Sequence, residues 1–203
     1  MSAGRRKLLG LARQQIGGPL DRREPIADGS VIVARDHYKL LYRLDGAERF
    51  LLWFTSEHDG VVTDAEFVPS FASEAALLAF ASGSGIVVSE ETPILHDLDV
   101  VRDWLAYPRP ETVDCTATLS AWNLFGDVAR SSPASGGLFA AADANLSAVY
   151  DKIFWGNNLP AVAPQGEAYQ PVWTPAEVSS LAGLLSQGLD LFRLVTRDAG
   201  ERR

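Results

Sequence analysis

The pattern of apolar and polar positions divides the chain into a strand-like front and a helix-like back. Val31-Ile32-Val33-Ala34 is β-branched, and Leu40, Tyr42 and Leu44 fall on alternate positions with Leu41 and Arg43 between them. Such spacing places successive side chains on opposite faces of a strand. Asp45-Gly46 then supplies a turn, and Phe50-Leu51-Leu52-Trp53-Phe54 follows as an almost unbroken apolar run. Strands flanking a short Asp-Gly connection predict a hairpin, and the unbroken run predicts a strand buried on both faces. His58-Asp59-Gly60 marks a second turn, after which Val61-Val62-Thr63 and Glu66-Phe67-Val68 predict one or two further strands. Ser73 is placed to cap a helix over 74–82 with Leu77, Leu78 and Ala81 inward. Gly83-Ser84-Gly85 stops it, and Ile86-Val87-Val88 is a further strand candidate.

After about residue 96 the period lengthens to that of helices. Leu98, Val101, Trp104 and Leu105 mark one helix, ended by Pro108 and Pro110, and Leu119, Trp122, Phe125 and Ala129 mark the next. Residues 131–137 read as a loop. Leu146, Val149, Tyr150 and Ile153 follow i, i+3, i+4, i+7 spacing, with Gly156 as the stop. Thr174-Pro175-Ala176-Glu177 combines a capping threonine, a proline at the first helical position and a capping-box glutamate. The helix it opens carries Val178, Leu181, Leu185, Leu189 and Phe192 on one stripe. At the other end, residues 4–16 predict a short helix ended by Gly17-Gly18-Pro19.

These elements predict an α+β fold: an N-terminal antiparallel β-meander with a covering helix, followed by a mostly helical C-terminal half. A single domain over 1–203 holds them, with an N-terminal helix in 1–19, an antiparallel sheet with one helix in 30–95, and a helical part in 96–196.

Charge adds a feature that periodicity does not show. The chain of 203 residues carries a formal charge of −8. Residues 50–101 contain no Lys or Arg, but they contain Glu57, Asp59, Asp64, Glu66, Glu74, Glu90, Glu91, Asp97 and Asp99. This stretch cannot neutralise itself; it faces water or something basic, and it repels nucleic-acid phosphates. A lone Cys115 permits no intrachain disulfide. The first apolar stretch is broken at Arg13, too early for an export signal. Both observations predict a cytoplasmic setting. No apolar run approaches the roughly 20 residues of a membrane span, so no membrane partner is expected.

Catalytic signatures are missing. Gly83-Ser84-Gly85 has two glycines of a dinucleotide loop but precedes a strand candidate, and no Walker loop, zinc-protease helix or nucleophile elbow occurs. His58 lies between Glu57 and Asp59, and His96 precedes Asp97 and Asp99. Imidazole and carboxylate suit a divalent cation, but a solvated hairpin tip and a helix cap account for the two groups, and no metal or cofactor is expected. Cys115 reads as a small residue packed near a helix start rather than as half of a thiol–imidazole pair. Asn145-Leu146-Ser147 matches a glycosylation sequon that a cytoplasmic protein leaves unused. Two polar–aromatic loops remain, Phe154-Trp155-Gly156-Asn157-Asn158-Leu159-Pro160 and Tyr169-Gln170-Pro171-Val172-Trp173. Rigid aromatics and adaptable amides suit protein recognition. They equally suit folding back to seal the helical layer, with Asn157 or Asn158 as a left-handed cap.

The nine acids from Glu57 to Asp99 and the loop Trp155-Gly156-Asn157-Asn158-Leu159-Pro160 give the chain a character that resembles the immunity proteins of bacterial toxin systems, including contact-dependent growth inhibition. The resemblance implies a cytoplasmic, non-enzymatic inhibitor of a cognate toxin domain, often a basic nuclease whose phosphate-holding cations the acids would match. On that reading Glu57, Asp59, Asp64 and Glu66 lie on the binding face with Trp155, Asn157 and Asn158. Two other readings stay open: an enzyme using some of these carboxylates, or an adaptor that self-associates through the C-terminal helix.

Overall fold

In a computed structural model of the protein, residues 35–56, 58–159 and 168–201 are described. The predicted helix over 4–16, the Val31–Ala34 segment and Glu57 lie outside them. Strands β1 (Asp36–Leu44) and β2 (Ala47–Thr55) form the predicted hairpin, in register from Asp36 opposite Thr55 to Leu44 opposite Ala47. Asp45 and Gly46 have φ of 54° and 75°. Both central residues of a tight type I′ turn need this left-handed backbone, which Asp-Gly tolerates. Strand β3 (Gly60–Val61) pairs antiparallel with β2, and β5 (Leu95–Asp97) pairs parallel with β1, giving the order β3-β2-β1-β5.

The fold is α+β as the sequence pattern requires, with strands in the front of the chain and mostly helices behind. Strand β2 is buried on both faces. Leu51 is fully buried in the larger core and Leu52 in a smaller one, although they are adjacent in sequence. The smaller core is closed by helix α1 (Glu74–Gly83), which packs Leu77 and Ala81 onto Leu52 and Phe71. Ser73 caps it by accepting from the Ala76 N–H at 3.2 Å. Leu78, expected inward, is 41% exposed, because only one narrow stripe of this short helix reaches the sheet.

The larger core lies on the opposite face of the sheet. Helix α2 (Leu98–Ala106) follows β5 directly. Helix α3 (Cys115–Ser131) runs through the centre and packs against α2, β3 and β5. Helices α4 (Pro133–Asp143), α5 (Ser147–Gly156) and α6 (Pro175–Val195) surround it. Leu119, Trp122, Phe125 and Ala129 on α3 are all buried. So are Val178, Leu181, Leu185, Leu189 and Phe192 on α6, so that stripe is core and is not the surface through which copies would associate. Thr174 and Glu177 form the reciprocal capping box that the sequence predicts.

Four expectations are corrected. Residues 133–137, read as loop, begin α4: Pro133 sits at its first turn, and Gly136 lets the helix lie directly on the backbone of Ala129. Ile86-Val87-Val88 is not a strand; Val88 makes only an isolated bridge to His37, since β1 has already found β5. The third segment, Glu66-Phe67-Val68, leaves the meander. Strand β4 (Val68–Ser70) instead pairs in parallel with β6 (Thr196–Asp198), which directly follows α6. Finally, Leu95–Asp97 is strand where the helical region was expected to begin.

Candidate partner-binding surface

The acids of 50–101 meet cations from outside their own segment. Glu74, at the first turn of α1, accepts from Lys39 Nζ of β1 at 2.8 Å, and the Lys39 side chain is almost buried. Asp97 caps α2 and accepts from Arg43 at 2.7 Å. Asp99 accepts the N–H groups of Asp45 and Gly46 at 2.6 and 2.9 Å, closing the hairpin turn from below, and pairs with Arg102 at 2.6 Å. Successive backbone N–H groups of a tight turn form an anion-holding concavity, which here takes a carboxylate of the same chain. These three acids therefore build the fold, and the stretch without bases is neutralised in part by β1 and α2.

The four residues expected on a binding face fare differently. Asp59 accepts from Thr55 Oγ1 at 2.8 Å, and its carbonyl accepts from Arg130 Nε at 3.2 Å, so it ties the β2–β3 connection to the end of α3. Asp64 and Phe67 exchange backbone hydrogen bonds of 2.8 and 3.1 Å across a tight turn whose Ala65 has φ 55°. Glu66 projects from that turn, exposed and without an ion-pair partner among the described residues. The Arg197 guanidinium stacks over Phe67 beside it at 4.7 Å. Glu57 is not among the described residues.

The aromatic loops are fastened by their own amides. Asn157 donates to the carbonyls of Cys115 and Ile153 at 3.0 and 2.9 Å. Asn158, at φ 49°, accepts from the Tyr169 N–H at 2.6 Å and donates to the Tyr169 carbonyl at 3.1 Å. Both asparagines serve the chain itself, and Asn158 takes the left-handed conformation foreseen for one of them. Trp173 is buried with Lys152 Nζ 5.3 Å from its ring centre. Trp155 is 40% exposed, with Tyr169 and Val172 also open to solvent.

The two halves of the expected site do not meet. Asn157 binds at the Cys115 end of α3, whereas Asp59 binds at the Arg130 end. At 1.5 Å per residue these ends are about 22 Å apart.

A segment that the sequence pattern had assigned to a strand presents a different combination. Val87 is 87% exposed and Ile94 62% exposed. Glu90 and Glu91 lie between them, exposed, and neither has an ion-pair partner among the described residues. The segment is held to the edge of β1 by the bridge from His37 to Val88 and by the Ser89 N–H donating to the His37 carbonyl at 2.8 Å. The available signal was the loss of alternation: three apolar residues and then Ser-Glu-Glu-Thr-Pro.

The remaining chemical candidates have structural roles. Cys115 opens α3 beside Gly156, and burial followed by the charge of Asp114 pushes its thiol pKa up, away from the reactive thiolate. Among the described residues no three His, Cys, Asp or Glu side chains converge as metal ligands. His96 packs its ring behind β5, hydrogen-bonded to the backbone of Ser120, with Nδ1 shielded from solvent and unpartnered among the described residues. Burial lowers its pKa. Below about pH 6.5 an unfolded histidine takes up a proton that the folded His96 refuses. The unfolded state then binds more protons, and stability falls with pH until the depressed folded pKa is reached. Thermal melts across this range should show that slope, and His96→Gln should flatten it. His37 is lowered by burial as well, so His37→Gln serves as the comparison, and an unchanged slope in His96→Gln would refute the assignment.

No family model matches the chain, and no curated protein matches it. A crystal structure of the SatS C-terminal domain in complex with bromine is similar in fold at a TM-score of 0.47 and 13% identity, covering 81% of this chain and 93% of that one. No helix among the described residues is long and apolar enough to cross a membrane.

Proposed function

We propose that the protein is a cytoplasmic immunity protein that binds and neutralises a basic toxin domain, through the 87–94 segment rather than through the β2–β3 hairpin. The observation that carries this reading is the exposed pair Glu90 and Glu91 set between exposed Val87 and Ile94. Surface acids steer a basic partner and set the on-rate, while aliphatic side chains that become buried supply the affinity. The segment thus offers aliphatic side chains that a partner can bury beside acids with no ion-pair partner among the described residues. Glu66 adds a third open acid, whereas Asp59, Asp97 and Asp99 are occupied in the fold.

The test begins with co-purification from the native host and identification of a stoichiometric basic partner. With that partner in hand, Glu90→Gln with Glu91→Gln should weaken binding about tenfold, mostly through association rate, and reduce its salt dependence. Val87→Ser should act on dissociation instead. Affinity and salt slope unchanged in both variants would remove this surface from the interface.

A further inference from the structure

The 87–94 segment is fastened to the sheet at two places. At its start Val88 bridges His37, and the Ser89 N–H donates to the His37 carbonyl at 2.8 Å. At its end β5 pairs Leu95, His96 and Asp97 with Leu41, Tyr42 and Arg43. Between these points β1 advances from 37 to 41, while the segment advances from 88 to 95. The surplus residues bow away from the sheet edge, which leaves Glu90, Glu91 and Ile94 open to solvent. The second fastening is only three residues long, so its hold depends on what lies behind it.

Behind it lies the ring of His96. Tyr42 is its register partner, so both side chains fall on the larger-core face. One ring nitrogen bonds to the backbone of Ser120 on α3, whereas Nδ1 is shielded from solvent and unpartnered among the described residues. A neutral ring fits this place. An imidazolium brings in a charge and a second N–H with nothing to accept it.

The surrounding groups do not compensate such a charge. Tyr42 is a phenol bonded to the Ser70 hydroxyl, and burial pushes its pKa up, so it stays neutral. Arg43 and Asp97 pair with each other on the opposite face of the sheet, the face that His37 also shares. On α2, Asp99 and Arg102 hold each other and the hairpin turn, and Asp103 pairs with Arg102. On α3, Asp114 accepts from the Ala117 N–H, Cys115 keeps its thiol proton, and Asp127 is bonded to Trp53 and Arg130.

We propose that His96 is a proton-operated catch on the partner-binding segment. Uptake of one proton at Nδ1 expels the ring from behind β5, and residues 90–96 leave the sheet edge while Ser89 and the α2 cap at Asp97 stay in place. The opening concerns β5 alone; its consequence for a partner rests on the function proposed above. Once β5 lets go, Glu90, Glu91 and Ile94 are no longer presented in one arrangement, and a partner held at neutral pH is released on mild acidification.

Amide hydrogen exchange, read residue by residue on the whole protein between about pH 7.5 and about pH 5, tests the catch without a partner. The amides of Leu95 and His96 should be less protected than those of Leu51 and Leu181, which are fully buried in the core and report opening of the whole molecule. Below about pH 6.5 the protection at Leu95 and His96 should fall by up to about tenfold per pH unit, the slope of a one-proton opening. His96→Gln should remove that slope. If the variant does not fold, the imidazole signal of the natural protein decides: the ring should take up its proton only as the β5 amides lose protection. Protection at Leu95 and His96 equal to that at Leu51 and Leu181, protection independent of pH, or a protonated ring behind a β5 that stays protected would each overturn the proposal. With a basic partner in hand, dissociation should speed up over the same pH change in the natural protein and not in His96→Gln. An opened β5 with unaltered dissociation would overturn the release and remove the 87–94 segment from the interface, with the catch itself left standing.

Discussion

Phe125→Ala is expected to destabilise the protein by about 4 kcal/mol, read as a lower urea midpoint with an unchanged slope. The ring is fully buried where α3, α4 and α6 meet. It stands edge to face with Phe139 at 6.3 Å and tilted to Phe192 at 6.0 Å. Gly188 of α6 also faces it, where an added Cβ would come within 2.2 Å of the ring. Because a glycine faces it on α6, no side chain from that position can fill the hole. This gives a sign reversal as the sharper result. Gly188→Ala should destabilise the natural protein by overpacking, yet restore part of the lost stability in Phe125→Ala, where the ring is gone and only Phe139 stands within 2.9 Å of the new methyl. Additive losses in the double variant would mean that Gly188 and Phe125 are not in contact.

Gly136→Ala is expected to cost about 3 kcal/mol or more, since overpacking against a fixed neighbour leaves little room to relax. A Cβ there would lie 2.3 Å from the carbonyl oxygen of Ala129 and 2.6 Å from its Cα, atoms of the α3 backbone rather than a movable side chain. The adjacent Gly137 supplies the contrast. It faces open space, so Gly137→Ala should be neutral or stabilise α4 by up to about 1 kcal/mol. Thermal unfolding of the two single-methyl variants should therefore move in different directions. Equal effects would show that α4 does not cross α3 at Gly136.

Legibility in the sequence followed the range of the interaction. The hairpin at Asp45-Gly46, the cap at Ser73 and the capping box at Thr174 and Glu177 are local, and each was readable from a few neighbouring residues. The long stripes on α3 and α6 were readable because they repeat. Helix α4 was not, since Ser-Ser-Pro-Ala-Ser-Gly-Gly has the composition of a loop. Its helicity depends on lying against Ala129, a tertiary contact that outweighs the cost of two glycines. Strands β5 and β6 are three residues each and carry no period to detect.

The candidate surface was legible only as composition. Counting acids located the charged stretch, but it did not distinguish Glu74, Asp97 and Asp99, which hold the fold, from Glu66, Glu90 and Glu91, which have no described ion-pair partner. The cations that separate the two groups lie on β1 and α2, outside the stretch that was counted. Asn157 and Asn158 were equally ambiguous, because an amide that binds a partner and one that binds its own backbone have the same neighbours in sequence.

The β4–β6 pairing bears on how the molecule is assembled. Arg49 and Asp198 meet although they are 149 positions apart. Strand β6 directly follows α6, so β4 waits for its neighbour until that helix has been synthesised. During translation the hairpin and α1 can form early, but the edge strand beside them cannot. Closing so long a loop delays its contacts until most of the chain has collapsed. An open cleft lined by Tyr42 and Ser70 is walled by Thr196 and Asp198 of that same late strand, so it takes shape only in the final stage of folding.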